Sequence, residues 1–115
     1  MNPSLLEEQI AALCRELEKA QDQLSAADLE AVHAKHEYEV AFARALLGSS
    51  GTNAEVRKAD ATHMTEALAL RAEVAAAKVR AAKGHVDVIG RRLDAGRSLL
   101  SSAKQSWAAS GIGAA

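Results

Sequence analysis

Glu30-Ala31-Val32-His33 holds a carboxylate and an imidazole one helical turn apart, the Glu-x-x-His spacing of carboxylate-bridged metal bundles. Such a centre draws on two of these pairs, and the chain has no second one. Ala31 and Ala34 fall on the apolar seam described below, which puts Glu30 at its edge and turns His33 away. His36 and His63 would approach each other if residues pair across a hairpin where their numbers sum to about 100, a connection centred near residue 50. An imidazole in such a place is more simply a solvated or interfacial group than a ligand. Cys14, the single cysteine, has no histidine near it in that register and reads as a small apolar residue rather than a nucleophile. With no glycine-rich phosphate loop, no hydrolase elbow and no Cys-x-x-Cys, the sequence predicts no enzyme and no cofactor and assigns no metal ligand; a metal-binding bundle through Glu30 and His33 stands third among the readings.

A second kind of chemistry lies in Lys78, Arg80, Lys83, Arg91, Arg92, Arg97 and Lys104. Bases along one helix can follow a nucleic-acid backbone, so these seven residues are a candidate DNA contact. No aromatic residue interleaves with them to stack on bases. The competing reading is that they face acids of the same chain. Residues 1 to 47 carry nine acids and four bases, and residues 52 to 115 carry ten bases and six acids. Charges of opposite sign beside two apolar seams choose partner and orientation, which favours the hairpin closing on itself or on a copy. Direct DNA binding stands second to this.

The elements that must position these groups are helical. Alanine makes up about a quarter of the 115 residues and aromatic residues 3%, the bias of long helices rather than of a deep globular core. Leu6, Ile10, Leu13, Leu17, Ala20, Leu24, Ala27, Ala31, Ala34, Tyr38, Ala41 and Ala45 recur at alternating steps of four and three, a coiled-coil seam. Leu68, Ala72, Ala75, Val79, Ala82, Val86, Ile89, Leu93, Gly96, Leu100, Ala103 and Trp107 repeat the pattern. Val32, Val40, Phe42, Leu46 and Leu47 widen the expected buried face of the first helix. Between the helices, Gly48-Ser49-Ser50-Gly51 breaks the period. Thr52 with Glu55 has the capping-box spacing, as Ser4 with Glu7 does at the start, where Asn2 before Pro3 is the alternative cap. The expectation is all-α: two long antiparallel helices forming one coiled-coil-like helical hairpin, with helix 1 over about 4–47, the turn over 48–52, helix 2 over about 53–109 and a frayed tail over 110–115.

Helix 2 carries a second apolar line on its far side: Ala67, Leu70, Val74, Ala77, Ala81, Gly84 and Val88. An element apolar on two flanks needs two neighbours, so the hairpin is expected to assemble into an oligomeric helical bundle, a dimer or tetramer. Gly84 and Gly96 fall on the two lines and predict close helix packing. In the register assumed above, helix 2 also outruns helix 1 beyond about residue 96, projecting by up to roughly 20 Å. Leu99, Leu100 and Trp107 on that projection join Leu70, Val74, Ala77, Ala81 and Val88 as the expected contact with a copy or target. The net charge of −1 predicts no polyanion partner by itself, and the lack of any apolar run of roughly 20 residues excludes a membrane-spanning role. The lone cysteine favours a reducing, cytoplasmic setting.

The stretch Leu70-Arg71-Ala72-Glu73-Val74-Ala75-Ala76-Ala77-Lys78-Val79-Arg80-Ala81-Ala82-Lys83, followed by Ile89-Gly90-Arg91-Arg92-Leu93-Asp94-Ala95-Gly96-Arg97-Ser98-Leu99-Leu100-Ser101-Ser102-Ala103-Lys104, resembles the second helix of small helical-hairpin proteins encoded by bacteriophages and prophages of actinobacteria. The resemblance covers about the second half of the chain. Those proteins are often encoded among replication and recombination genes. The resemblance implies a phage origin and a host-cytoplasmic location, with phage or host proteins as partners. Secreted WXG-type hairpins share the size, but their tryptophan lies in the turn, whereas here the turn is Gly48-Ser49-Ser50-Gly51 and Trp107 lies far from it. Together these readings predict a non-enzymatic interaction or adaptor protein accessory to phage DNA metabolism or to capture of a host protein.

Overall fold

The computed structural model describes residues 2–111, which form α1 (Pro3–Gly48), α2 (Ala54–Met64) and α3 (Glu66–Ala109). Met1 and residues 112–115, most of the expected frayed tail, lie outside the described residues, among which there is no strand. α1 starts by the Asn2–Pro3 alternative. The Ser4 N–H donates to Asn2 Oδ1 at 2.9 Å and the Leu5 N–H to the Asn2 carbonyl, satisfying donors that a helix start leaves unpaired. For α2 the cap is Asn53, in extended backbone, whose Oδ1 accepts from the Val56 N–H at 2.9 Å, so the expected cap at Thr52 is one residue early.

The second helix is not the single run 53–109 that the sequence predicts. It breaks at Thr65, a buried polar residue at φ −112° and ψ 13°. The Thr65 hydroxyl and its own N–H both donate to the Ala61 carbonyl, at 2.7 and 3.1 Å. A threonine that bonds back onto the preceding turn competes with helix geometry and bends it. The ladder resumes at once, since the Ala69 N–H donates to the Thr65 carbonyl at 2.9 Å.

The chain divides into two compact units, one from Met1–Gln23 and Ala82–Ala115, the other from Leu24–Ala81. In the first, Ala20, Ile89 and Leu93 are buried, and Ile10, Leu13, Cys14, Leu17 and Val86 pack against them. Leucine and isoleucine supply this core, at roughly 25 cal/mol per Å² of apolar surface removed from water. In the second, the buried apolar side chains are alanines: Ala34, Ala61 and Ala75. Every residue of both predicted seams is buried or half-buried. Val32 and Leu47 are instead largely exposed, so they do not widen the buried face. Val40, Phe42 and Leu46 are half-buried, and the Phe42 ring lies 6.0 Å from that of Tyr38.

Within each unit the helices pair further along than assumed. In the first, Glu7 meets Lys104 at 3.4 Å, and Ile10 lies against Gly96, where an added Cβ would stand 3.3 Å from Ile10 Cγ1. In the second, Glu30 meets Lys78 at 3.3 Å and Glu37 meets Arg71 at 3.4 Å. The register is displaced by about one heptad from the expected one. The reason lies at the connection. Ser49 Oγ donates to Asp60 Oδ2 at 2.8 Å, and Arg57 donates to the Gly51 carbonyl at 3.2 Å. The loop therefore folds down along the first turns of α2 instead of bridging the two helix ends directly.

Candidate functional site

The far side of α3 is the first candidate. Ala67, Leu70, Val74, Ala77, Ala81, Gly84 and Val88 are all exposed, and the large ones strongly so: Leu70 at 61%, Val74 at 47% and Val88 at 42%. Within the second unit, Ala67, Leu70, Val74, Ala77 and Ala81 follow four-and-three spacing and form a line opposite the seam that meets α1. Gly84 touches nothing within the chain, and an added Cβ there would enter open space. Close helix packing is thus present within the chain at Gly96, whereas at Gly84 the described chain brings no neighbour to the helix.

The overhang expected beyond residue 96 does not exist. Trp107 is half-buried, and with Leu6, Leu99 and Ala103 it lines a hollow at the start of α1, while Asn2, Pro3 and Ser4 lie against its other side. Leu100 is likewise a half-buried member of the seam. The displaced register carries the start of α1 up to the end of α3, so Leu100 and Trp107 are packed by this chain itself. Leu99 stays 55% exposed.

Of the seven candidate DNA-contacting bases, all exposed, three are engaged: Lys78 with Glu30, Lys104 with Glu7, and Arg97 with Asp94 at 4.0 Å. Arg80, Lys83, Arg91 and Arg92 meet no carboxylate among the described residues. Arg71, which the sequence reading had not singled out, joins helix to helix through Glu37. Heptad position could have found it, since Arg71 and Lys78 occupy the same flank one repeat apart.

The structure brings no metal set together. Glu30 is tied to Lys78, His33 is exposed, and among the described residues no group of three or more His, Cys, Asp or Glu side chains could hold an ion. His33 and His36 border a shallow groove with Val40, Arg44 and Leu68, and His63 lies 3.9 Å from Glu66. Cys14 is half-buried against the leucine-rich core.

A larger groove of about 520 Å³ runs along the second unit. Ala31, Tyr38, Ala72 and Val79 form its floor, with Val32, Ala69 and Ala76 beside them and Asp28, Lys35, Glu39 and Glu73 at the rim. Lys35 and Glu39 lie 3.9 Å apart. The groove is open and mostly apolar, a surface for packing rather than a cavity that excludes water. No family model, curated protein or solved structure matches the chain. No described helix is long and apolar enough to cross a membrane.

Proposed function

We propose that this chain is a non-enzymatic interaction protein that self-assembles through the far face of α3 and presents the assembled bundle to a target. The observation that carries this is the exposed line of Leu70, Val74, Ala77 and Ala81 in the second unit, on a helix whose opposite face is already covered by α1. A contiguous apolar face of this kind marks a contact surface. The target is a phage or host protein of the cytoplasm, on the strength of the resemblance of the α3 sequence to phage-encoded hairpins. Light scattering tests the assembly. The chain is expected at twice or four times its formula mass, and Leu70→Ser with Val74→Ser as a folded monomer; a wild-type monomer at all concentrations ends this reading.

A second reading is favoured by the four bases that meet no carboxylate. Arg80, Lys83, Arg91 and Arg92 would contact a duplex backbone, with retention that falls steeply as salt rises. Arg91→Glu with Arg92→Glu should abolish a gel shift at low salt. Absence of any shift for the wild type removes DNA from the account.

A further inference from the structure

Within the second unit, α2 and the loop before it are bound chiefly to each other. Of the eleven residues of α2 only Ala61 is buried, and Arg57 is half-buried. Val56 and Met64, its larger apolar side chains, are 42% and 72% exposed. The polar contacts run inward. The Ser49 hydroxyl donates to Asp60 Oδ2 at 2.8 Å, the Gly51 N–H to Ser49 Oγ at 3.1 Å, the Val56 N–H to Asn53 Oδ1 at 2.9 Å and Arg57 to the Gly51 carbonyl at 3.2 Å. Each of these bonds begins and ends within residues 49–64. The loop packs on its own helix as well, since a Cβ at Gly51 would stand 2.9 Å from Val56 Cγ1. In the same unit α1 and α3 are joined directly to each other, by Glu30 with Lys78 and Glu37 with Arg71, and both contribute buried side chains, Ala34 and Ala75.

We infer that residues 49–64 form a strap that opens and melts as one unit, with Thr65 as its boundary, while α1 and α3 stay paired. Regions that open below the global free energy are those with few buried apolar contacts and exposed backbone bonds, and α2 has both marks. A helix of eleven residues does not persist in water without packing, so once the Ala61 methyl leaves its place the helix unwinds. The bonds from Ser49 and Arg57 tie loop to helix, which makes the loss of one the loss of all. Thr65 sets the limit. Its backbone, at φ −112° and ψ 13°, already departs from helix geometry, it is buried, and α3 resumes from it through the Ala69 N–H. Opening frees the Thr65 hydroxyl and N–H from the Ala61 carbonyl. A hollow of about 390 Å³ beside them, lined by Ala41, Ala45, Met64, Thr65 and Leu68, admits water to take that carbonyl's place. The open strap offers extended chain at this end of the second unit and uses none of Leu70, Val74, Ala77 or Ala81, so the inference stands apart from the self-assembly proposed above.

Native-state hydrogen exchange on the full chain tests this. The amides from Arg57 to Met64 should share one opening free energy and one urea slope, and exchange at least about a hundredfold faster than those from Ala72 to Arg80. Ala61→Gly removes the one buried methyl of α2 and lowers its helix propensity. It should quicken the α2 amides together by about tenfold and leave those of α3 within about twofold of wild type. Trypsin gives a second readout, because a protease takes extended chain and cuts a helix only when it opens. The first cuts should fall after Arg57 and Lys58 rather than after Arg44 or Arg71, at a rate that rises in Ala61→Gly by the same factor as the exchange. Amides of α2 as slow as those of α3 overturn the strap. So do α2 amides that exchange in graded order from the loop inward with no urea dependence, which is fraying, and an Ala61→Gly chain in which α3 quickens as much as α2. A first cut outside residues 49–64 overturns it as well.

Discussion

Gly51 and Gly96 show how differently two glycines can matter. A Cβ on Gly51 would lie 2.9 Å from Val56 Cγ1 and 3.0 Å from the Arg57 backbone nitrogen, and backbone cannot give way. At Gly96 the nearest atom is Ile10 Cγ1 at 3.3 Å, the side of a chain that can rotate. Gly51→Ala is therefore expected to cost at least about 1 kcal/mol by overpacking the loop. Gly96→Ala should be near neutral, since about 1 kcal/mol of helix propensity offsets the crowding. Thermal unfolding of the two variants decides; equal losses would mean that the loop does not rest on α2. The sequence marked 48–51 as a turn through its glycine and serine content. It could not show that Ser49 Oγ reaches Asp60, because that contact depends on which way the loop folds over.

At the scale of elements, the buried Ile89 and Leu93 with the half-buried Ile10, Leu13 and Leu17 packed against them form a cluster of large apolar side chains in the first unit. Ile89→Ala should lower the unfolding free energy by about 3 kcal/mol, and Trp107→Ala, half-buried at the end of the same unit, by roughly 1–2 kcal/mol. Urea denaturation measures both, and a loss under about 1 kcal/mol for Ile89→Ala would mean that the cluster does not hold the first unit together. The seams were legible residue by residue, because alternating steps of four and three leave one solution for which side faces inward. The register was not. A heptad pattern is unchanged by a slide of one repeat, so it fits Ile10 beside Ile89 nearly as well as beside Gly96. The loop sets the register, and with it the fate of Trp107, which passes from an imagined projection to a packed neighbour of Pro3. The break at Thr65 also escaped, since threonine is common within helices and only its burial over the Ala61 carbonyl makes it a bend.

For the whole molecule, an assembled chain has a stability that depends on its own concentration, since association draws the folded state forward by mass action. The melting temperature should rise over a hundredfold increase in protein concentration, and Leu70→Ser with Val74→Ser should remove the rise; a wild-type melt independent of concentration would speak for a monomer. The far face of α3 was legible as a second period, whereas its occupant was not, because periodicity reports that a side is apolar and nothing about what covers it. The leucine-rich cluster has one further consequence. Its members come from opposite ends of the chain, Ile10 and Leu13 near the start, Ile89 and Leu93 near the end. The contacts that form between neighbours in sequence, around the Ser49–Asp60 link, join mostly alanines and reward the chain little. The entropy of closing a long loop must be spent before the strongest contacts are gained, and contact order of this kind slows the search for the native state. A helical protein of this size would ordinarily fold fast; this one has placed its largest buried side chains where the chain meets itself last.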